Sequence, residues 1–164
     1  MFFYGRTYIG RSAVNESDWE ERCAQSYAGT ANQKKSGYRP FSHLARYAFG
    51  LRCEIFRLHR GAQGFKLLAA DLPSKLPAAR IDVTAEMLRA KFCLAPVGTG
   101  YCVRAVQAVV LGCVPVIVAD DGVHTPVVQP FDPRLIDWEK IGVVVRRAQI
   151  LTLPQLLATI DLHS

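Results

Sequence analysis

Most of the side chains whose type and spacing could do chemistry fall between residues 98 and 121. Gly98, Thr99 and Gly100 make a glycine-bearing loop, Arg104 and Gln107 follow it, and Asp120 and Asp121 close the stretch. The run before the loop, Phe92-Cys93-Leu94-Ala95, is apolar and stopped by Pro96. The run after it, Cys113 to Ala119, is apolar and rich in β-branched residues. Neither run alternates, as strands buried on both faces should not. Between them Cys102 to Leu111 has helical length and is halted by Gly112. Strand, loop, helix and strand in so short a stretch predict a βαβ unit with a right-handed crossover. A ligand of such a unit sits outside the carboxyl ends of the strands, near the helix amino terminus. That edge carries Gly98, Thr99, Gly100, Arg104, Asp120 and Asp121.

The chemistry suggested there is anion binding. Free backbone N–H groups beside a guanidinium make a pocket for a diphosphate. A cation in the first turn of a helix opposes the dipole, so Arg104 calls for an anion to offset it, unless it simply faces solvent. Gln107 lies three residues on and shares a helix face with Arg104. It could meet a ribose or sugar hydroxyl, or lie at the helix surface. Asp120 and Asp121 could meet a sugar hydroxyl or act as a base, or only make the turn before Gly122. No Gly-Lys-Ser/Thr follows the loop, and Val103 stands where a dinucleotide fingerprint needs its third glycine. An NAD-binding module is therefore disfavoured. His43, His59, His124 and His163 do not cluster, and only His124 falls in a loop beside the predicted edge.

Other segments must position this edge. Met1 to Ile9 begins as an apolar strand, Gly64 to Ala69 is a second candidate, and Gly142 to Val145 is a β-branched third. Phe41 to His59 has apolar residues at helical spacing, with Pro40 before it and Gly61 after it. Asp82 or Thr84 can cap a short helix through Ala90. Leu135 to Lys140 predicts a turn of helix, and Leu153 to Ile160 a closing one with Pro154 in its first turn. Residues 10–38 read as a long polar loop, 71–80 as a shorter one punctuated by proline, and Gly122 to Pro133 as a third. Strands alternating with helices predict an α/β sandwich with a mostly parallel sheet. In Val103, Val106, Val109 and Val110 the central helix reads as buried all round.

Half of the 164 residues are hydrophobic and 21% charged, which excludes a disordered chain and allows one domain with a sizeable core. Lys and Arg number 20 against 14 Asp and Glu, a basic balance concentrated in the first half. Aromatic residues do not interleave with the basic ones, which argues against nucleic acid as a partner. Five cysteines show no CxxC pair and no zinc spacing, so no metal is expected. Cys93 and Cys113 read as small core residues, with a disulfide open among the others. The triplet Asn15-Glu16-Ser17 is a glycosylation sequon. Met-Phe-Phe-Tyr has no basic start and gives no signal peptide, and a chain opening within a strand is expected to be the later part of something longer.

Several linked stretches resemble one family. KFCLAPVGTG, the Arg104 helix, GCVPVIVAD and QPFDPRLIDWEKIGVVV are similar to the exostosin family of glycosyltransferases, as are FFYGR, GFKLLAAD and AEMLRAKFCL upstream. The GTGYCVR form resembles exostosin-like proteins of green algae and plants. The resemblance implies a Rossmann-like three-layer sandwich, the carboxyl-terminal, donor-binding half of a two-domain GT-B enzyme, over residues 1–164. It implies inverting, metal-independent hexosyl or pentosyl transfer from a nucleotide-diphosphate sugar, UDP-linked by expectation, to a glycan acceptor. It further implies no cofactor, a Golgi membrane setting, and a missing amino-terminal domain as partner. By position, Arg104 would neutralise the diphosphate, with Gly98, Thr99 and Gly100 lending backbone donors. Gln107, Asp120, Asp121 and Arg39 fall where ribose or sugar contacts are expected. Many members carry an acid where this chain has Gln107. The alternative is a non-catalytic or truncated module that binds a nucleotide sugar or only a protein partner.

Overall fold

The structure is a computed structural model, and it describes residues 1–5, 50–70, 81–97, 102–118, 120, 131–132 and 134–160. Five strands form one parallel sheet: β1 (Phe2–Gly5), β2 (Lys66–Ala69), β3 (Phe92–Ala95), β4 (Val114–Val118) and β5 (Val143–Val145). Their order is β2-β1-β3-β4-β5, and every pairing is parallel. Helices α1 (Leu51–His59), α2 (Val83–Arg89), α3 (Val103–Val110), α4 (Trp138–Ile141) and α5 (Leu153–Ala158) complete it, with a 3-10 segment, Arg147–Thr152, leading into α5.

Period-two alternation explains the layers. Phe3, Leu67, Phe92, Leu94, Val116, Val118 and Val145 face one side, where they pack with Leu51, Ile55 and Phe56 of α1 and with Ile150, Leu153 and Leu157. Phe2, Cys93, Ala95 and Ile117 face the other side, against Met87 of α2, Ala105 and Ala108 of α3, and Trp138 of α4. β3 is buried along its whole length, which is why its sequence does not alternate. The chain is therefore a three-layer α/β sandwich, as the alternation of elements predicts.

Local chemistry sets the boundaries. Asp82 caps α2 by accepting the Ala85 N–H at 3.0 Å. Gly112, at φ 71, ends α3: its N–H donates to the Val109 carbonyl at 3.1 Å, and the Cys113 N–H reaches back to Ala108 at 2.9 Å. Both bonds need the left-handed residue that glycine supplies. Pro115 lies inside a central strand, where a missing N–H ordinarily breaks a ladder. Here Val114 donates to Lys91 on the β3 side, so residue 115 faces the β5 side, and β5 starts only opposite Val116.

Three expectations need correction. Cys93 and Cys113 are joined by a disulfide, with a Cα–Cα separation of 5.8 Å. Both are buried core residues as the sequence implies, but the sequence did not show that Cys113, just before β4, meets Cys93 in β3. α3 is not buried all round: it packs through Ala105 and Ala108, while Val103, Val109 and Val110 are exposed. Small residues let the helix lie close to the sheet, and the valines point away. The described helix before β2 begins at Leu51, with Gly50 at φ 74 as its cap, because a left-handed residue cannot sit within an α-helix. The readings at Arg39, Pro40, Asn15-Glu16-Ser17, Gly98, Thr99, Gly100, Asp121, His43, His124 and His163 lie outside the described residues, as do residues 10–38, 41–49 and 71–80.

The disulfide closes a sequence separation of 20 residues around α3. By loop entropy, replacing Cys93 and Cys113 together by alanine should cost about 3 kcal/mol. Urea unfolding of the double variant against the parent, both without reductant, measures it; an unchanged midpoint refutes the estimate.

Candidate anion-binding site

The strand order turns back between β1 and β3, so the helices beside that break lie on opposite faces of the sheet: α1 packs with Phe3 and Leu94, α3 with Cys93 and Ala95. Such a break opens a crevice at the carboxyl edge. Both helices turn their amino termini to it, and each carries an arginine at its second residue, Arg52 and Arg104. Neither has a side-chain cap hydrogen bond.

The two guanidiniums share one aromatic ring. Arg104 Cζ lies 5.4 Å from the centre of the Phe3 ring, and Arg52 Cζ lies 5.9 Å from it. Gly5 makes room for that ring at the end of β1: a Cβ there would stand 2.7 Å from Phe3 Cζ. A cation over an aromatic face gains about 0.5–2 kcal/mol, depending on desolvation. The arginines differ in what else they touch. Arg52 Nε donates to the Val97 carbonyl at 3.0 Å and its Nη2 to the Pro96 carbonyl at 3.2 Å, gripping the chain as it leaves β3. Arg104 Nη1 is buried and finds no hydrogen-bond partner among the described residues. An unsatisfied buried donor costs about 1–3 kcal/mol, and more when charged. Burial holds the Arg104 pKa below the usual arginine value; the neighbouring Cys102 sulfur raises it and the Arg52 charge lowers it.

Cys102 stands at the N-cap position of α3, buried and outside any disulfide. Burial pushes its thiol up, against the opposing pull of the Arg104 and Ala105 N–H groups and of both guanidinium charges. Trp138 packs beside Cys102 and Ala105, so α4 buttresses the start of α3.

The remaining predicted residues divide. Asp120 lies at the carboxyl edge, at the end of β4, where its Oδ2 accepts the Arg147 N–H at 3.2 Å and so ties this edge to the 3-10 segment. Arg147 Nε in turn meets Glu54 Oε2 at 2.9 Å in a largely buried pair. Gln107 is exposed on α3, one turn beyond Arg104. Among the described residues, no three His, Cys, Asp or Glu side chains come together as a metal ion would need. Phe3, Arg52 and Cys102 were not singled out from the sequence. Arg52 was findable: it sits in a first turn as Arg104 does, and the same dipole argument applies once the helix is started at Gly50.

A parallel α/β sandwich with two arginines at the break in strand order is a layout of nucleotide-binding domains. Comparison with known proteins makes this specific. The exostosin GT47 domain model matches residues 32–160, and the chain belongs to that family. It is 37% identical over 116 residues to a protein of Physcomitrium patens named probable glucuronosyltransferase 47 A, covering 70% of this chain and 23% of that one. It is 33% identical over 132 residues to probable glucuronosyltransferase GUT1 of Oryza sativa, covering 80% and 26%. With probable beta-1,4-xylosyltransferase IRX10 of Arabidopsis thaliana it shares 45% over 76 residues, covering 46% and 17%. The chain thus spans about a quarter of the length of the glucuronosyltransferases it matches. No solved structure matches it. The α/β fold is consistent with a GT-B-like glycosyltransferase domain.

The raised Cys102 thiol has a consequence for stability. A proton bound more tightly in the folded chain stabilises it fully below the unfolded thiol's pKa, and that contribution is lost as pH rises through the folded value. Wild-type urea midpoints should therefore fall on the alkaline side. In Cys102→Ala, less stable throughout, that limb should be shallower. Parallel limbs for the two proteins would contradict the assignment.

Proposed function

We propose that this domain binds the diphosphate end of a nucleotide-sugar donor in the crevice between β1 and β3, as the donor half of a glycosyltransferase that passes a hexosyl or pentosyl group to a glycan. One observation carries this reading: a buried guanidinium nitrogen of Arg104 without a hydrogen-bond partner among the described residues, at the edge where such folds place their ligands. Two pyrophosphate oxygens suit a planar guanidinium, and a helix amino terminus adds N–H donors beside it. Charge developing on the leaving group is met by fixed donors, without a metal ion. The proposal extends to backbone donors from Gly98, Thr99 and Gly100, and to Gln107, Asp121 and Arg39 for ribose or sugar. The names of the relatives make UDP-glucuronate and UDP-xylose the first donors to test.

A second reading, a module that binds donor without turning it over, has its own support. The two acids described near this edge, Glu54 and Asp120, are both engaged by Arg147, which leaves neither an obvious base. On either reading a further domain would close the cleft. The setting proposed is the oxidising lumen of the secretory pathway, at the Golgi, and the Cys93–Cys113 disulfide supports it. No helix among the described residues is long and apolar enough to cross a membrane.

Calorimetric titration of the 164-residue chain with UDP tests the binding claim. Weak binding that persists in EDTA is expected, and Arg104→Ala should weaken it about tenfold, the loss of one charge-assisted contact. No heat at millimolar UDP from a folded sample rejects the reading. Radiolabelled transfer from UDP-xylose or UDP-glucuronate, by a chain that includes the rest of the protein, separates enzyme from binding module.

A further inference from the structure

We infer that Arg52 is the positioning residue of this site: its guanidinium fixes the exit of β3 and so holds Arg104 and the α3 amino terminus ready for a diphosphate. The inference rests on the function proposed above but concerns a residue which that reading did not use.

The geometry is specific to a guanidinium. Its planar fork spans two successive carbonyls, those of Pro96 and Val97, while its carbon lies 5.9 Å from the Phe3 ring centre. These contacts bridge 44 and 45 residues of sequence, joining a helix on one face of the sheet to a strand exit that leads to a helix on the other. A lysine ammonium is a point charge on a flexible stem and cannot hold both carbonyls and the ring together. Arg52 also adds a second positive charge beside Arg104, the two guanidinium carbons lying 5.9 and 5.4 Å from the centre of the same Phe3 ring. Without an anion the two charges repel. A ligand with two adjacent negative charges relieves that repulsion, so the pair favours a diphosphate over a neutral nucleoside. Phe3 keeps the two arginines in register by offering both one ring.

The test compares Arg52→Lys and Arg52→Met with wild type in titrations with UDP, inorganic pyrophosphate and uridine. Urea midpoints report folding, and hydrogen exchange follows peptides covering residues 92–97 and 102–110 without ligand. Both variants should lose about tenfold or more in affinity for UDP and pyrophosphate with little change for uridine, because retained charge does not replace the two-carbonyl grip. Both should also exchange faster in the two peptides. A lysine variant that binds like wild type overturns the positioning role, even if the methionine variant fails, since charge alone would then suffice. Should wild type bind neither UDP nor pyrophosphate, the proposed function falls and exchange alone judges Arg52. Faster exchange in both folded variants supports the grip, and unchanged exchange overturns it. If Arg52→Met does not fold, Arg52→Lys carries the same comparison.

Discussion

Two like charges are held together at the one place where this sheet changes direction. Arg52 and Arg104 arrive from opposite faces and meet over Phe3, and a nitrogen of Arg104 is buried there without an acceptor among the described residues. Folding alone gives no reason to build this. Desolvating a guanidinium, leaving a donor unmet and placing a second cation nearby each oppose stability. Sheet packing, helix caps and the disulfide outweigh that cost. The balance is sensible for a surface that gains its missing partner from a ligand, and it is hard to rationalise for one that only packs.

The rest of the domain can be read as the means of delivering those charges. Ala105 and Ala108 bring α3 close to the sheet, and Trp138 packs against its first turn. Gly112 turns the chain sharply enough for Cys113 to meet Cys93, so the far end of the helix is covalently tied to β3. On the opposite face, the buried His59 bonds the Ile150 carbonyl and Arg147 pairs with Glu54, which anchors α1 to the closing segment. Held at its far end by His59 and in its first turn by Glu54, α1 presents Arg52 at its amino terminus. Rigid placement matters because a guanidinium can pre-empt the reorganisation that water would otherwise need.

Much of this was legible in sequence, and the failures share a cause. β3 and β4 lie within the predicted apolar runs, because short continuous apolar runs, β-branched in β4 and ended by Pro96 or Asp120, suit strands buried on both faces. The Asp82 cap and the stop at Gly112 were visible because each rests on its own residue's chemistry. What failed depended on which residues meet in space. The valines of α3 look like a buried set by composition, yet its alanines face the sheet. Cys93 and Cys113 are core residues as read, but only the folded chain shows them 5.8 Å apart at Cα and joined. Arg52 was hidden because an unbroken helix from Phe41 placed it mid-helix, where an arginine is unremarkable. Gly50, in a left-handed conformation, turns it into a first-turn cation.

Gln107 sharpens the argument about charge. An acid three residues after Arg104 would lie within reach of it on the same helix face and offset part of its charge from within the protein. α3 has no acidic residue in its first turn, and the described residue at 107 is an exposed amide. The neighbouring thiol of Cys102 is pushed toward its neutral form by burial, so it supplies little negative charge either. Glu54, the acid in the first turn of α1, is turned to Arg147. Among the described residues, these sources of internal compensation are thus neutral, or committed elsewhere. The described part of this edge keeps its positive charge for a ligand, and an acid at the position of Gln107 would leave an anion to bind against a partly neutralised site. Substitution at that one position therefore shifts the division of labour between protein and ligand in balancing the two arginines.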